Sequence, residues 1–327
     1  MQAEPLVRVV RSRLEESVHL GHAAVCNADG RLVGFAGDPD RLVFARSCMK
    51  PLQAAVSLKA IGEAERLPDR ELAIMCASHN GEPVHIGAVR AVLERAGLGP
   101  SALQNPPGWP LDEESMARAQ HKNPLLHNCS GKHAGMLLAC VRAGWDPGTY
   151  RRKGHALQKR ILRAVQRVSG VDGVVVGVDG CGVPVHGMPL RAVATLYARL
   201  ARPEGLGDLS GEVERAVEAM LGDPYLVGGR GAIDTALMQG TGDVMAKRGA
   251  EALECAAALD PGLGVAVKIA DGGSRAGSPA LLSALRQVGA ITGEQMARLS
   301  SFSHPSVLGG GEPVGELLAD FTLRRPR

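Results

Sequence analysis

The chain has 327 residues, 45% of them apolar, enough for a full core in one large domain or two medium ones. A formal charge of +3 is too small to argue for nucleic acid or a membrane surface, and with only 3% aromatics the core must be built from Leu, Val, Ile, Ala and Met. Lysine is scarce, 8 residues against 29 arginines, so a lysine inside a small-residue stretch carries extra weight.

Residues 6–12 and 17–37 read as strands, the second a hairpin turning on Asn27-Ala28-Asp29-Gly30. Arg46-Ser47-Cys48-Met49-Lys50-Pro51 then opens an apolar helix that Gly62 closes. A short helix over 69–76 leads into the polar, glycine-closed loop Ala77-Ser78-His79-Asn80-Gly81, and 82–96 is an amphipathic helix ending at Gly97. A Pro/Gly-rich loop (105–110) and a helix (113–121) precede His127-Asn128-Cys129-Ser130-Gly131-Lys132-His133-Ala134-Gly135, which runs into helices at 136–143 and 155–168. Residues 173–178 read as a short buried strand delivering the turn Asp179-Gly180-Cys181-Gly182-Val183-Pro184. Helices follow at 190–202, 211–221 and 229–239. Next come a strand at 243–247, a strand or short helix at 250–257, and a strand at 264–270. Helices at 279–288 and 293–300 and a terminal strand at 315–323 complete the chain. Strands at both ends with helices between predict a single α+β domain over 1–327, a mixed, mainly antiparallel sheet flanked by helices, with a helical region inserted around 49–170.

Four turns hold the reactive side chains. Ser47 and Lys50 are three residues apart, so a helix starting there places both on one face. A neutral amine beside a hydroxyl can take its proton, and S-x-x-K is the spacing used by acyl-serine enzymes; the plain alternative is a capping serine with a lysine one turn on. Ser78-His79-Asn80 has the S-x-N form, or is a loop whose side chains bond their own backbone. Lys268 lies on a strand between Ala266 and Ala270, which leaves room beside it for a substrate. Cys129-Ser130-Gly131-Lys132-His133 and Asp179-Gly180-Cys181 each set a thiol in a glycine turn. Two thiolates with a carboxylate, histidine or amine nearby could bind zinc; a disulfide or two unrelated core thiols are the alternatives.

The seven cysteines show no repeating frame, no N-terminal stretch has the form of a secretory leader, and no apolar run approaches the roughly 20 residues of a membrane helix. These features lead us to expect reduced thiols and a cytoplasmic location.

Taken together, the Arg46–Pro51, Ala77–Glu82, Asn128–Met136 and Asp179–Pro184 motifs resemble the rhizobial-type L-asparaginases, the asparaginase II family with a serine-β-lactamase/glutaminase-like fold. The resemblance implies two serine–lysine tandems in one pocket, Ser47 with Lys50 and Ser78 with Lys268. It implies a zinc ion held by Cys129, Lys132 and Cys181 with water, Arg46, His133 and Asp179 on the substrate side, and a homodimer. The implied reaction is hydrolysis of L-asparagine to L-aspartate and ammonia, with Ser47 attacking and Ser78 its competitor for that role. Zinc would support substrate binding and stay off the chemical step. Glutamine hydrolysis, or an inactive amino-acid-binding homologue, is the rival reading.

Overall fold

The computed structural model describes residues 2–326. Four strands come first: β1 (Glu4–Arg11), β2 (Leu14–Asn27), β3 (Leu32–Ala36) and β4 (Leu42–Phe44). Six helices follow: α1 (Lys50–Ile61), α2 (Asp69–Cys76), α3 (Pro83–Arg95), α4 (Glu113–Arg118), α5 (Ser130–Arg142) and α6 (Ala156–Ser169). Two short strands, β5 (Val175–Val178) and β6 (Pro184–Pro189), precede α7 (Leu190–Ala201), α8 (Ser210–Gly222), α9 (Pro224–Val227) and α10 (Ile233–Thr241). The strands β7 (Val244–Gly249), β8 (Leu253–Ala258) and β9 (Leu263–Ile269), the helix α11 (Gly277–Gln287), and β10 (Ser306–Gly309) with β11 (Glu312–Ala319) build most of the remainder.

The main sheet has the order β10-β11-β1-β2-β9-β8-β7, with β3 also on β2, and every pairing is antiparallel. The chain is therefore α+β with an antiparallel sheet flanked by helices, and the expected mixed character of the sheet does not appear among the described residues. The long β2 holds both ends together: its first half pairs with β1, its second with β3 and β9. α7 lies directly on the sheet because Gly264 has no side chain; a Cβ there would stand 1.9 Å from the Ala194 carbonyl oxygen. β4, β6 and β5 form a separate three-stranded sheet, placing Arg46 just beyond one strand end and Asp179 just beyond another.

α1 is buried nearly all round, as a helix at the centre of the helical region must be. Two differences from the sequence reading bear on the site. The α-helix begins at Lys50, while Arg46–Met49 form a 3₁₀ turn, so Ser47 is not on the first turn of α1. And α5 begins at Ser130, not near residue 136, so Lys132 and His133 sit on a buried helical turn. Its glycines allow this: a Cβ on Gly131 would lie 2.1 Å from the Ile74 carbonyl oxygen, and one on Gly135 2.6 Å from Met75 Cγ, so α5 rests against α2 at backbone distance.

The valine run at 173–178 is corrected as well. It forms the edge strand β5, with Val178 79% exposed, where continuous apolar character had suggested a buried strand. The short β4, β6 and β10 carry too few residues to announce themselves by alternation. The ambiguous stretch 250–257 resolves as the strand β8, and the helix placed at 229–239 begins instead at Ile233.

Candidate active site

Arg46 is in the left-handed region (φ +45), an uncommon conformation for a side chain of its size, and it turns the chain from β4 into the Ser47 turn. The turn is locked from behind. The Cys48 thiol donates to Lys247 O (3.1 Å) and Leu253 O (3.4 Å), and the Tyr197 hydroxyl donates to Cys48 O (2.7 Å). Among the described residues, neither the backbone N–H groups of Arg46 and Ser47 nor the Ser47 hydroxyl have a hydrogen-bond partner. They are the orphan donors that the start of any helical turn leaves.

The expected contact between Ser47 and Lys50 side chains is absent; the Lys50 amine turns to the other serine. Its Nζ lies 2.6 Å from Ala77 O, 3.2 Å from Asn128 O and 2.9 Å from Ser78 Oγ. A neutral lysine has two N–H bonds and one lone pair. With two carbonyls taking the N–H bonds, the third direction, toward the Ser78 hydroxyl, is left to the lone pair. Burial pushes the Lys50 amine down to about 8, against an opposing pull from Cys129 and with help from Lys132 and Lys247.

Lys268 does not complete a tandem with Ser78. Its Nζ donates to the carbonyls of Glu251 (2.5 Å) and Ile269 (2.6 Å), on the far side of the β7–β8 turn. The second lysine beside Lys50 is Lys247, on the edge strand β7. It is fully buried, ion-paired with Asp234 (2.7 Å) and bonded to Arg248 O (2.9 Å). The next residue, Arg248, reaches Asn80 Oδ1 (3.0 Å) and Ser78 O (3.5 Å), which ties β7 to the Ser78 loop. The sequence reading missed Lys247, although a lone lysine in Val244-Met245-Ala246-Lys247 carried the same signal as Lys268.

The Ser78 loop is held from below. Its own N–H donates to Val227 O (3.0 Å). The buried His79 accepts from Gly81 N through Nδ1 (3.1 Å) and bonds Ser130 Oγ through Nε2 (2.8 Å), which joins this loop to the start of α5. Burial holds the His79 ring well below its usual value, so it is neutral.

The two cysteine turns lie side by side. Lys132 Nζ lies 3.0 Å from Cys181 Sγ, Cys181 Sγ lies 3.9 Å from Asp179 Oδ2, and neither Cys129 nor Cys181 is in a disulfide. Interaction with the Cys181 thiol, aided by the Lys50 and Lys132 charges, holds Cys129 well below the usual thiol range. Burial works against the Lys132 ammonium, but the sulfurs of Cys181 and Cys129 and the Asp179 carboxylate keep it above the usual lysine value. The Tyr150 hydroxyl accepts from Gln104 N (3.1 Å) and lies 2.6 Å from His133 Nδ1; with Tyr150 donating there, and burial keeping the ring neutral, the His133 proton is on Nε2. That Nε2 is buried with no hydrogen-bond partner among the described residues. Arg46 Nε donates to Asp179 Oδ1 (2.8 Å), so the strained turn before Ser47 is joined to the thiol cluster. Burial pushes the Asp179 carboxyl up, but Lys132 and Arg46 outweigh it.

Among the described residues no three His, Cys, Asp or Glu side chains gather as a metal-binding group. Any cation here would depend on Lys132 joining the two sulfurs. Two soft sulfurs and an amine, the amine 3.0 Å from Cys181 and close enough to Cys129 to act on its charge, suit a tetrahedral zinc ion, at the cost of displacing the Lys132 proton.

The family described as L-asparaginase II matches residues 7–319. No curated protein matches the chain. Among solved structures, the chain is similar to the crystal structure of a protein designated Mglu (TM-score 0.48, 18% identity, 83% of this chain and 67% of that one). It is also similar to a β-lactamase from Mycobacterium bovis (TM-score 0.44, 15% identity, 82% and 94%). A third is a mutant of simvastatin synthase from Aspergillus terreus (TM-score 0.40, 12% identity, 76% and 86%). The chain spans about two thirds of the length of the Mglu chains.

Proposed function

The chain belongs to the L-asparaginase II family, and from that premise we propose that it hydrolyses the side-chain amide of L-asparagine to L-aspartate and ammonia through a serine ester. The observation that carries the reading is the buried Lys50 amine, held by two carbonyls and facing the Ser78 hydroxyl at 2.9 Å. Ser47 attacks the amide carbon. Its proton passes to the Ser78 oxygen as the Ser78 proton passes to Lys50. The unpartnered N–H groups of Arg46 and Ser47 receive the oxyanion, a role closed to the Ser78 N–H, which is committed to Val227 O. The proton on Lys50 returns through the same chain to the leaving ammonia, and water then cleaves the ester. Lys247 is a further cation of the site; after burial and Lys132, its charge adds to the lowering of the Lys50 amine.

A second reading has Ser78 attack directly, favoured by its contact with Lys50. Ammonia release from asparagine and glutamine by wild type, Ser47→Ala and Ser78→Ala separates them. Ser47→Ala should lose activity on asparagine; activity retained in it moves the nucleophile to Ser78. Preference for glutamine makes the chain a different small amidase, and activity on neither amide leaves a binding homologue.

Cys129, Lys132 and Cys181 would hold zinc, which when bound supplies a fixed positive charge in place of the Lys132 proton. Arg46, Asp179 and His133 orient the α-amino and carboxylate end of the substrate beside it. A homodimer is supported by the exposed edge of β5, where Val175 and Val178 offer an unpaired apolar strand. A cytoplasmic location is supported by seven free cysteines, and no helix among the described residues is long and apolar enough to cross a membrane.

A further inference from the structure

Lys268 stands out in the sequence for the space between its flanking alanines, and the serine chemistry makes no use of it. That space is a cavity of about 560 Å³, also lined by His22, Arg41, Phe44, Arg46 and Glu251. Ser47, Ser78, Lys50 and Asp179 are not among its walls. The β2–β9 register sets His22 directly opposite Lys268. Each of the basic groups has a donor to spare. The Lys268 amine gives two of its N–H bonds to carbonyls, and the third has no partner among the described residues. The Arg41 guanidinium has no ion-pair or hydrogen-bond partner among them. His22 accepts the Asp38 N–H through Nδ1 (2.9 Å); burial pushes the ring below its usual value, so it is neutral and its proton is on Nε2.

The charges are close enough to affect one another. Burial, and to a smaller degree Arg41, lowers the Lys268 amine, against the opposing pull of Glu251 and Asp271. Lys268, Arg41 and Arg46 bring three cationic side chains to the cavity; Glu251 in its wall and Asp38, Asp179 and Asp271 behind it offset their charge, and an anion entering the cavity would meet the spare N–H donors of Lys268, Arg41 and His22. The volume lies within the range of sites for organic ligands, and guanidinium groups match carboxylate and phosphate oxygens two at a time. Arg46 belongs to both places: it lines this cavity and bonds Asp179 at the serine site.

We propose that this cavity is an anion site separate from the serine pocket, taking a small organic acid with two or more carboxylate or phosphate groups, which competes with Asp179 for Arg46. The test is calorimetric titration at low salt with citrate and with inorganic phosphate as probes. The proteins are wild type, Arg41→Gln, Lys268→Met and Ser47→Ala. Wild type and Ser47→Ala should bind at least one probe, and added salt should weaken that binding. Arg41→Gln and Lys268→Met should each weaken it by about tenfold or more, the loss of one charge-assisted hydrogen bond. Citrate binding with phosphate silent identifies a carboxylate ligand, and the converse a phosphorylated one. Arg41 is exposed, so a fold defect in Lys268→Met would still leave Arg41→Gln to decide. No binding of either probe to wild type, or wild-type affinity in Arg41→Gln, overturns the proposal; loss of binding in Ser47→Ala assigns the anion to the serine pocket and overturns it too. Binding is read without catalysis, so the result stands apart from the asparaginase reading. In steady-state assays of asparagine hydrolysis, the bound probe should raise KM in wild type and not in Arg41→Gln, whose activity without the probe is unchanged. An unchanged wild-type KM would refute the competition for Arg46.

Discussion

If Lys50 is the base, the pH dependence of activity must follow its amine. Burial lowers that amine from 10.5 to about 8. At pH 7 this leaves roughly 9% of it neutral instead of about 0.03%, a gain of about 300-fold in competent enzyme. The initial rate at low substrate should therefore rise about tenfold per pH unit up to about pH 8 and then level off. The same shift has a stability consequence of opposite sign to that of a paired lysine. The unfolded chain holds this proton more tightly, so stability rises with pH between about 8 and 10.5, and below about 8 the full penalty, about 3 kcal/mol, is present. Lys50→Met removes that penalty and leaves two buried carbonyls, Ala77 O and Asn128 O, without their donor, at about 1–3 kcal/mol each. The two effects nearly offset. The expected signature is a fall in kcat of about 10²–10⁴ with only a small change in Tm. A profile flat from pH 6 to 9, or a variant that keeps its activity, would refute Lys50 as the base.

Lys247→Met removes a charge that depresses Lys50, so the rising limb of the pH profile should move to higher pH; a limb that stays in place would show that Lys247 does not act on the base. On the proposed zinc reading, loading the protein with zinc and then chelating it should raise KM for asparagine more than it lowers kcat; steady-state kinetics with a collapsed kcat at constant KM would instead put the metal on the reaction path. Gly131→Ala places a Cβ 2.1 Å from the Ile74 carbonyl oxygen, so thermal unfolding should show a loss of about 1–3 kcal/mol or more; an unchanged Tm would mean that α5 does not rest on α2 as closely as described.

Much of the fold could be read locally. The helix at 69–76 coincides with α2, the β2–β3 hairpin turns on the stretch Asn27–Gly30, and α6 and α7 fall within a residue of their predicted limits. Each is set by periodicity and by turn chemistry within a few neighbours, which is what a sequence displays. The valine run of β5 was misplaced because apolar character alone does not distinguish a buried strand from an edge.

The sequence by itself displayed which reactive side chains the chain carries and the family to which it belongs: two serines and a lysine near glycine turns, two thiols near a second lysine, and a third lysine on a strand. Tertiary structure decided who meets whom. Lys50 is three residues from Ser47 yet bonds Ser78, because a 3₁₀ turn starts the helix late and the Ala77 and Asn128 carbonyls draw the amine across. Lys247 and Lys268 sit on neighbouring strand systems and look alike in sequence. Only the sheet order, with β7 at the edge and β9 two strands inside it, sends one toward Lys50 and the other into a separate cationic cavity. Such pairings depend on contacts between residues far apart in the chain, to which local patterning is blind.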